Sequence, residues 1–164
     1  MEIETLAGLP AHALLVHAAV VLVPLAVIAF AALCWKPAWR DHYLLPVTIL
    51  TVVAGASAFL AKQTGEPLES TVRRAAGRRV SFGEHPENGD TAFVMAFFFM
   101  AAVIAYWALL RWGTKKWDLP KWTPIAGYAV VLVPAALAMI TMIVAGHSGA
   151  TLVWKDLGTF QAGK

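Results

Sequence analysis

Four histidines offer most of the chemistry in this sequence. His12, His17, His85 and His147 lie at or near the ends of long apolar segments, and the order of those segments brings all four towards one face of a membrane. An imidazole can bind haem iron or a transition metal, move a proton, or anchor a helix end. Ionisable groups are costly to hold within lipid, so a cluster of them is a candidate site. The carboxylates Glu66, Glu84 and Asp90, with Glu69 and Glu87 beside them, could orient such ligands or join them. Arg73, Arg74, Arg78 and Arg79 form two pairs in the same stretch, and guanidinium groups suit lipid phosphates, cofactor carboxylates or an acidic partner.

The histidines are not equivalent. His17 follows His12 by five residues, which in a helix is about 7.5 Å of depth and roughly 140° of rotation. His17 is therefore read as set into the membrane and His12 as facing elsewhere. Gly146 and Gly149 suit the end of a helix and put His147 at its rim, and Pro86 disfavours helical geometry at His85 just before it. His42 falls on the opposite side. No catalytic set accompanies these residues: there is no phosphate-binding loop, metalloprotease helix or nucleophile elbow. Cys34 is the sole cysteine, which excludes an internal disulfide or a thiolate cluster. Met95, Met100, Met139 and Met142 read as space-filling residues.

The elements that must position the histidines follow from hydropathy. The chain is 59% hydrophobic and only 14% charged, with a mean hydropathy of +0.65, far from a soluble domain. Segments 11–35, 43–61, 91–110 and 125–146 contain no Asp, Glu, Lys or Arg, and each is close to the roughly 20 helical residues needed to cross a bilayer. The expectation is an all-α, polytopic membrane protein: one domain, a four-helix transmembrane bundle with helices at 11–35, 43–61, 86–111 and 124–147. An outer loop at 62–85 and a tail at 148–164 complete it. The acidic start, with Glu2 and Glu4, lacks the positive region of a cleaved signal peptide.

Four spans put both termini and the 62–85 segment on one side. The two short connections on the other side hold Lys36, Arg40, Arg111, Lys115, Lys116 and Lys121 close to helix ends, where the positive-inside bias counts most. Lys62, Lys155, Lys164 and the four arginines are spread more thinly on the terminal side. Both termini are thus expected outside the cell. Trp35, Trp39, Tyr43, Tyr106, Trp107, Trp112, Trp117 and Trp122 gather at the proposed inner interface as an aromatic belt. Residues 54–58 form a small-residue packing surface. Segments 19–26 and 129–136 match closely, but their helices run in opposite directions, so the match reads as chance. The modest net charge of +3 gives no reason to expect nucleic acid as a partner.

From Leu9 to His17 the sequence Leu-Pro-Ala-His-Ala-Leu-Leu-Val-His resembles the opening signature of a bacterial membrane family known as domain of unknown function 2231. The likeness continues through Thr64-Gly65-Glu66 and through Glu84-His85-Pro86-Glu87-Asn88-Gly89-Asp90. It closes with Gly146-His147-Ser148-Gly149-Ala150 and then Val153-Trp154, and the actinobacterial branch is the nearest in pattern. The resemblance implies a four-span module of the bacterial inner membrane with its histidine motifs on one side and no settled activity. Some relatives are joined to Rieske-type iron–sulfur domains, which implies redox association, although this chain has no such domain. Some relatives carry an acidic residue where this chain has His147, which weakens His147 as an obligatory ligand.

Three functional expectations result. The first is a non-catalytic membrane subunit or accessory protein, partnered by lipid and other membrane subunits, with a respiratory or redox complex as the association that the resemblance implies. The second is a b-type haem electron carrier in which His17 pairs with His85 or His147 and the second-loop arginines meet the propionates. The third is a transition-metal protein using His12, His85, His147 and a carboxylate such as Glu84.

Overall fold

A computed structural model describes residues 5–6, 9–76, 81–113 and 116–154. A two-residue antiparallel ladder, β1 (Thr5–Leu6) with β2 (Leu9–Pro10), leads into four helices. These are α1 (Ala11–Trp35), α2 (Arg40–Ala76), α3 (His85–Ala108) and α4 (Thr123–Trp154). A 3₁₀ turn at Pro37–Trp39 joins α1 to α2, and a π turn at Leu109–Gly113 extends α3. All four helices are long and apolar enough to cross a membrane. The chain is an all-α four-helix membrane bundle.

Side-chain size separates inside from outside. The buried positions are largely alanine, valine and a few aromatics, whereas Val21, Ile28, Phe98, Ile125, Val130 and Val133 point outward. Lipid supplies no hydrophobic drive between helices, so small residues that let backbones approach are favoured inside. Gly55 illustrates this: a Cβ there would lie 2.6 Å from Met100 Sδ of α3. Ala54, Gly55, Ser57 and Ala58 are buried as the small-residue reading expects, while Ala56 is exposed. Buried Thr48, Thr51 and Ser57 return their hydroxyls to Leu44, Val47 and Ala54 carbonyls at 2.7–2.8 Å, so these three groups are satisfied within their own helix.

The bundle is made of two hairpins in the same register. In α1 the buried series Ala19, Val23, Ala26, Phe30, Leu33 is matched in α3 by Ala92, Ala96, Phe99, Val103, Tyr106. In α2 the buried positions Leu44, Val47, Thr51, Ala54, Ala58 and Ala61 are matched by Tyr128, Val131, Ala135, Ala138, Met142 and Ala145 of α4. Each pair of series has identical spacing, so hairpin α1–α2 and hairpin α3–α4 present equivalent faces to the common core. The helices pack most heavily within each hairpin, with further contact of α2 on α3 and of α1 on α4, which leaves α1 and α3 diagonally opposed. The repeat thus relates helices that run in the same direction, unlike the 19–26 and 129–136 similarity.

Helix boundaries depart from hydropathy at the terminal face, where α1 and α3 begin and α2 and α4 end. Residues 62–76 continue α2 where the sequence reading places a loop. Hydropathy marks the membrane exit, but helical pairing persists beyond it: Lys62 with Glu66 and Arg73 with Glu69, each one turn apart. Residues 148–154 likewise continue α4 instead of forming a tail. Gly146 and Gly149 do not cap this helix, because both serve packing against neighbours. His85 is the first residue of α3, with Pro86 inside the first turn.

At the opposite end, Phe30, Tyr106 and Tyr128 fill the core, with ring centres 5.4–6.1 Å apart. Tyr106 is 3% exposed and so belongs to this plug, not to an aromatic belt. Its ring lies over Gly127, where a Cβ would meet Cε2 at 2.4 Å. Trp35, Trp39, Tyr43, Trp112, Trp117 and Trp122 are exposed around that end, as a belt requires.

Candidate functional site

The two hairpins repeat one local sequence at their terminal ends: Ala61-Lys62-Gln63-Thr64-Gly65 in α2 and Ala145-Gly146-His147-Ser148-Gly149 in α4. In both, the hydroxyl residue folds back onto its own helix: Thr64 Oγ1 donates to the Leu60 carbonyl at 2.8 Å and lies 3.1 Å from that of Ala61, and Ser148 Oγ donates to the Ala145 carbonyl at 2.9 Å. One turn past the alanine stands a glycine, and a histidine ring from the partner helix occupies the space its missing side chain leaves. His12 lies against Gly65, where a Cβ would be 3.1 Å from Cε1, and His85 lies against Gly149, where it would be 2.8 Å from Cε1.

Hydrogen bonds fix the rings in matching states. His12 Nδ1 is 2.8 Å from the Ala61 carbonyl oxygen. A carbonyl only accepts, so Nδ1–H donates, and the neutral tautomer with this bond has its lone pair on Nε2. His85 Nδ1 is 3.0 Å from Ser148 Oγ, whose own proton is committed to Ala145, so Nδ1–H again donates. Neither Nε2 has a hydrogen bond among the described residues. The ring centres of His12 and His85 are 6.5 Å apart, with planes inclined at 72°.

These rings border a chamber of about 330 Å³ between the hairpins, at the low end of small-molecule cavities. Its walls are apolar and mostly small: Val16, Ala19 and Val20 of α1, Ala58, Ala61 and Gly65 of α2, Ala92 and Phe93 of α3, and Met142, Ala145 and Gly146 of α4. Charged groups are confined to the mouth, where Lys62 pairs with Asp90 and, at 3.8 Å, with Glu66. Glu69 also borders the chamber while holding Arg73.

The candidate residues separate accordingly. His12 and His85 are brought together, whereas His17 is exposed on the far side of α1, its Nδ1 2.5 Å from the Ala13 carbonyl of its own helix. His17 still lies deeper along α1 and the two rings point in different directions, but it is His12, not His17, that faces the bundle interior. His147 is exposed and borders a separate shallow groove with Glu84, Asn88 and Thr151. Among the described residues, no three of His, Cys, Asp and Glu converge as a metal-binding set, so His12, His85, His147 and Glu84 are not assembled into one. Arg73 stacks on Phe82 at 5.1 Å, Arg74 bonds Ser70, and neither borders the chamber. Arg78 and Arg79 lie outside the described residues. Sequence reasoning missed the glycine seats, Ser148 and Lys62. The recurrence of Ala-x-x-Thr/Ser-Gly was the signal that could have found them.

A four-span bundle of paired hairpins enclosing a histidine-lined chamber at one membrane face is the class of protein that fold and site define. The family model described as a predicted membrane protein, DUF2231, matches residues 8–161, and the chain belongs to that family. No curated protein and no solved structure matches it.

Proposed function

We propose that this chain is a non-catalytic, multi-pass subunit of the bacterial inner membrane that holds a ligand between its two hairpins for a larger, redox-active assembly. The facing pair His12 and His85 carries this reading. Two imidazoles with their Nδ1 groups tied to neighbouring helices and their Nε2 lone pairs unclaimed form a prepared donor pair, because anchoring the second nitrogen is how proteins orient ligating histidines. Apolar walls and a charged mouth suit a ligand that is mainly apolar with one polar edge. The density of cations at the other end of the bundle favours placing the chamber on the outer side.

Isolation from native membranes in a mild detergent, followed by native mass spectrometry, tests this function. The expected result is a complex containing further membrane subunits and a non-peptide mass on this chain. A bare chain with neither partner nor added mass, recovered from membranes in which other complexes stay intact, contradicts it.

A further inference from the structure

We infer that His12 and His85 are the two axial ligands of a b-type haem seated between the hairpins, an assignment that rests on the ligand-holding function above and names its ligand. The spacing suits a metal shared by both rings. Bonds of about 2 Å from each Nε2 to one metal place the ring centres about 6 Å apart, and the observed separation is 6.5 Å. An inclination of 72° is open to such a pair, because each ring plane turns about its own metal–nitrogen axis.

The number of donors then selects the metal's form. Zinc completes its shell with four ligands and carboxylate-bound metals take more, but no third protein donor converges here among the described residues. Haem iron brings four equatorial nitrogens of its own and asks the protein for two axial ligands. Donors on facing helices are also how bundles build cofactor sites in their cores. His12 and His85 stand on the diagonal helices α1 and α3, so a macrocycle between them extends towards α2 and α4. Those are the helices that present small residues to the chamber, Ala58 and Ala61 on one side and Ala145 and Gly146 on the other. At the chamber's mouth Lys62, paired with Asp90 and Glu66, would exchange an acid partner for a propionate, while the apolar depth suits the ring.

The test is an optical and metal analysis of the full chain, expressed with 5-aminolevulinate, purified in mild detergent and then titrated with hemin. One haem per chain with a six-coordinate, low-spin spectrum is expected. His12→Gly and His85→Gly should each weaken haem retention at least tenfold and abolish the low-spin bands, and free imidazole should restore those bands. His17→Ala and His147→Ala should leave the spectrum unchanged. Helical content by circular dichroism confirms that each variant is folded. Failure of the wild-type chain to bind hemin overturns the assignment, as does a haem spectrum indifferent to His12 and His85. If instead copper or another ligand is held in a way that depends on both histidines, the haem assignment falls and the ligand-holding function stands. If nothing depends on them, both fall.

Discussion

Gly149 leaves room for the imidazole of His85: a Cβ at that position would stand 2.8 Å from Cε1 of the ring. Gly65 has the same relation to His12 at 3.1 Å. Glycine is a poor helix former, costing about 1 kcal/mol against alanine, and here it sits in the interior of both α2 and α4. The close approach of the rings gives that choice a physical reason.

Gly149→Ala should therefore uncouple stability from binding. The new methyl favours the helix but displaces the ring of His85, so thermal unfolding in detergent should change by about 1 kcal/mol or less while ligand retention falls severalfold. Gly65→Ala should act in the same direction and more weakly, because its contact is longer. Equal retention in wild type and Gly149→Ala counts against the ring's position as described.

The packed end of the bundle should respond in the opposite way. Gly127→Ala places a Cβ 2.4 Å from Tyr106 Cε2, within a plug whose rings are held by Phe30 and Tyr128. Overpacking of this kind costs about 1–3 kcal/mol, so the melting temperature should drop with no direct effect on the chamber. Gly55→Ala should cost less, since the nearest atom is the movable sulfur of Met100. Thermal melts of both variants in one detergent check the order.

Hydropathy makes the four spans legible because lipid demands long uncharged segments, and all four appear where the apolar blocks stand. Where helices end is a different question, decided by backbone pairing and not by lipid. Residues 62–76 are helical although polar, and 148–154 although two closely spaced glycines fall at their start, and no hydropathy limit could show that. The site was half legible for a related reason. Counting turns from His12 separates it correctly from His17, but rotation alone gives no origin, so which of the two faces inward depends on where the partner hairpin lies. The seat at Gly149 looks like a helix cap in the sequence, because packing glycines and capping glycines are the same residue.

At the chamber mouth, Lys62→Ala should disturb entry more than folding. Its partners Asp90 and Glu66 are both largely exposed, and exposed ion pairs contribute about 0–1 kcal/mol. Unfolding should shift by no more than that, whereas uptake of a carboxylate-bearing ligand should slow and its salt dependence should reverse, because Glu66, Glu69 and Asp90 then leave the mouth anionic. Stopped-flow absorbance at two ionic strengths reads both effects.

Orientation has its own check. In a Cys34→Ser background, Ser70→Cys on the exposed end of α2 should react with a membrane-impermeant maleimide on intact spheroplasts. Lys121→Cys should react only after permeabilisation. The reverse pattern moves the chamber to the cytoplasmic side.

The central claim is that His12 and His85 form one site and not two neighbouring ones. The most direct measurement is ligand occupancy per chain, by native mass spectrometry, in His12→Ala, His85→Ala and the double variant. Each single substitution is predicted to empty the chamber as completely as the double one, with His17→Ala fully occupied. Half-occupancy in either single variant, or loss that simply adds between them, contradicts a shared site.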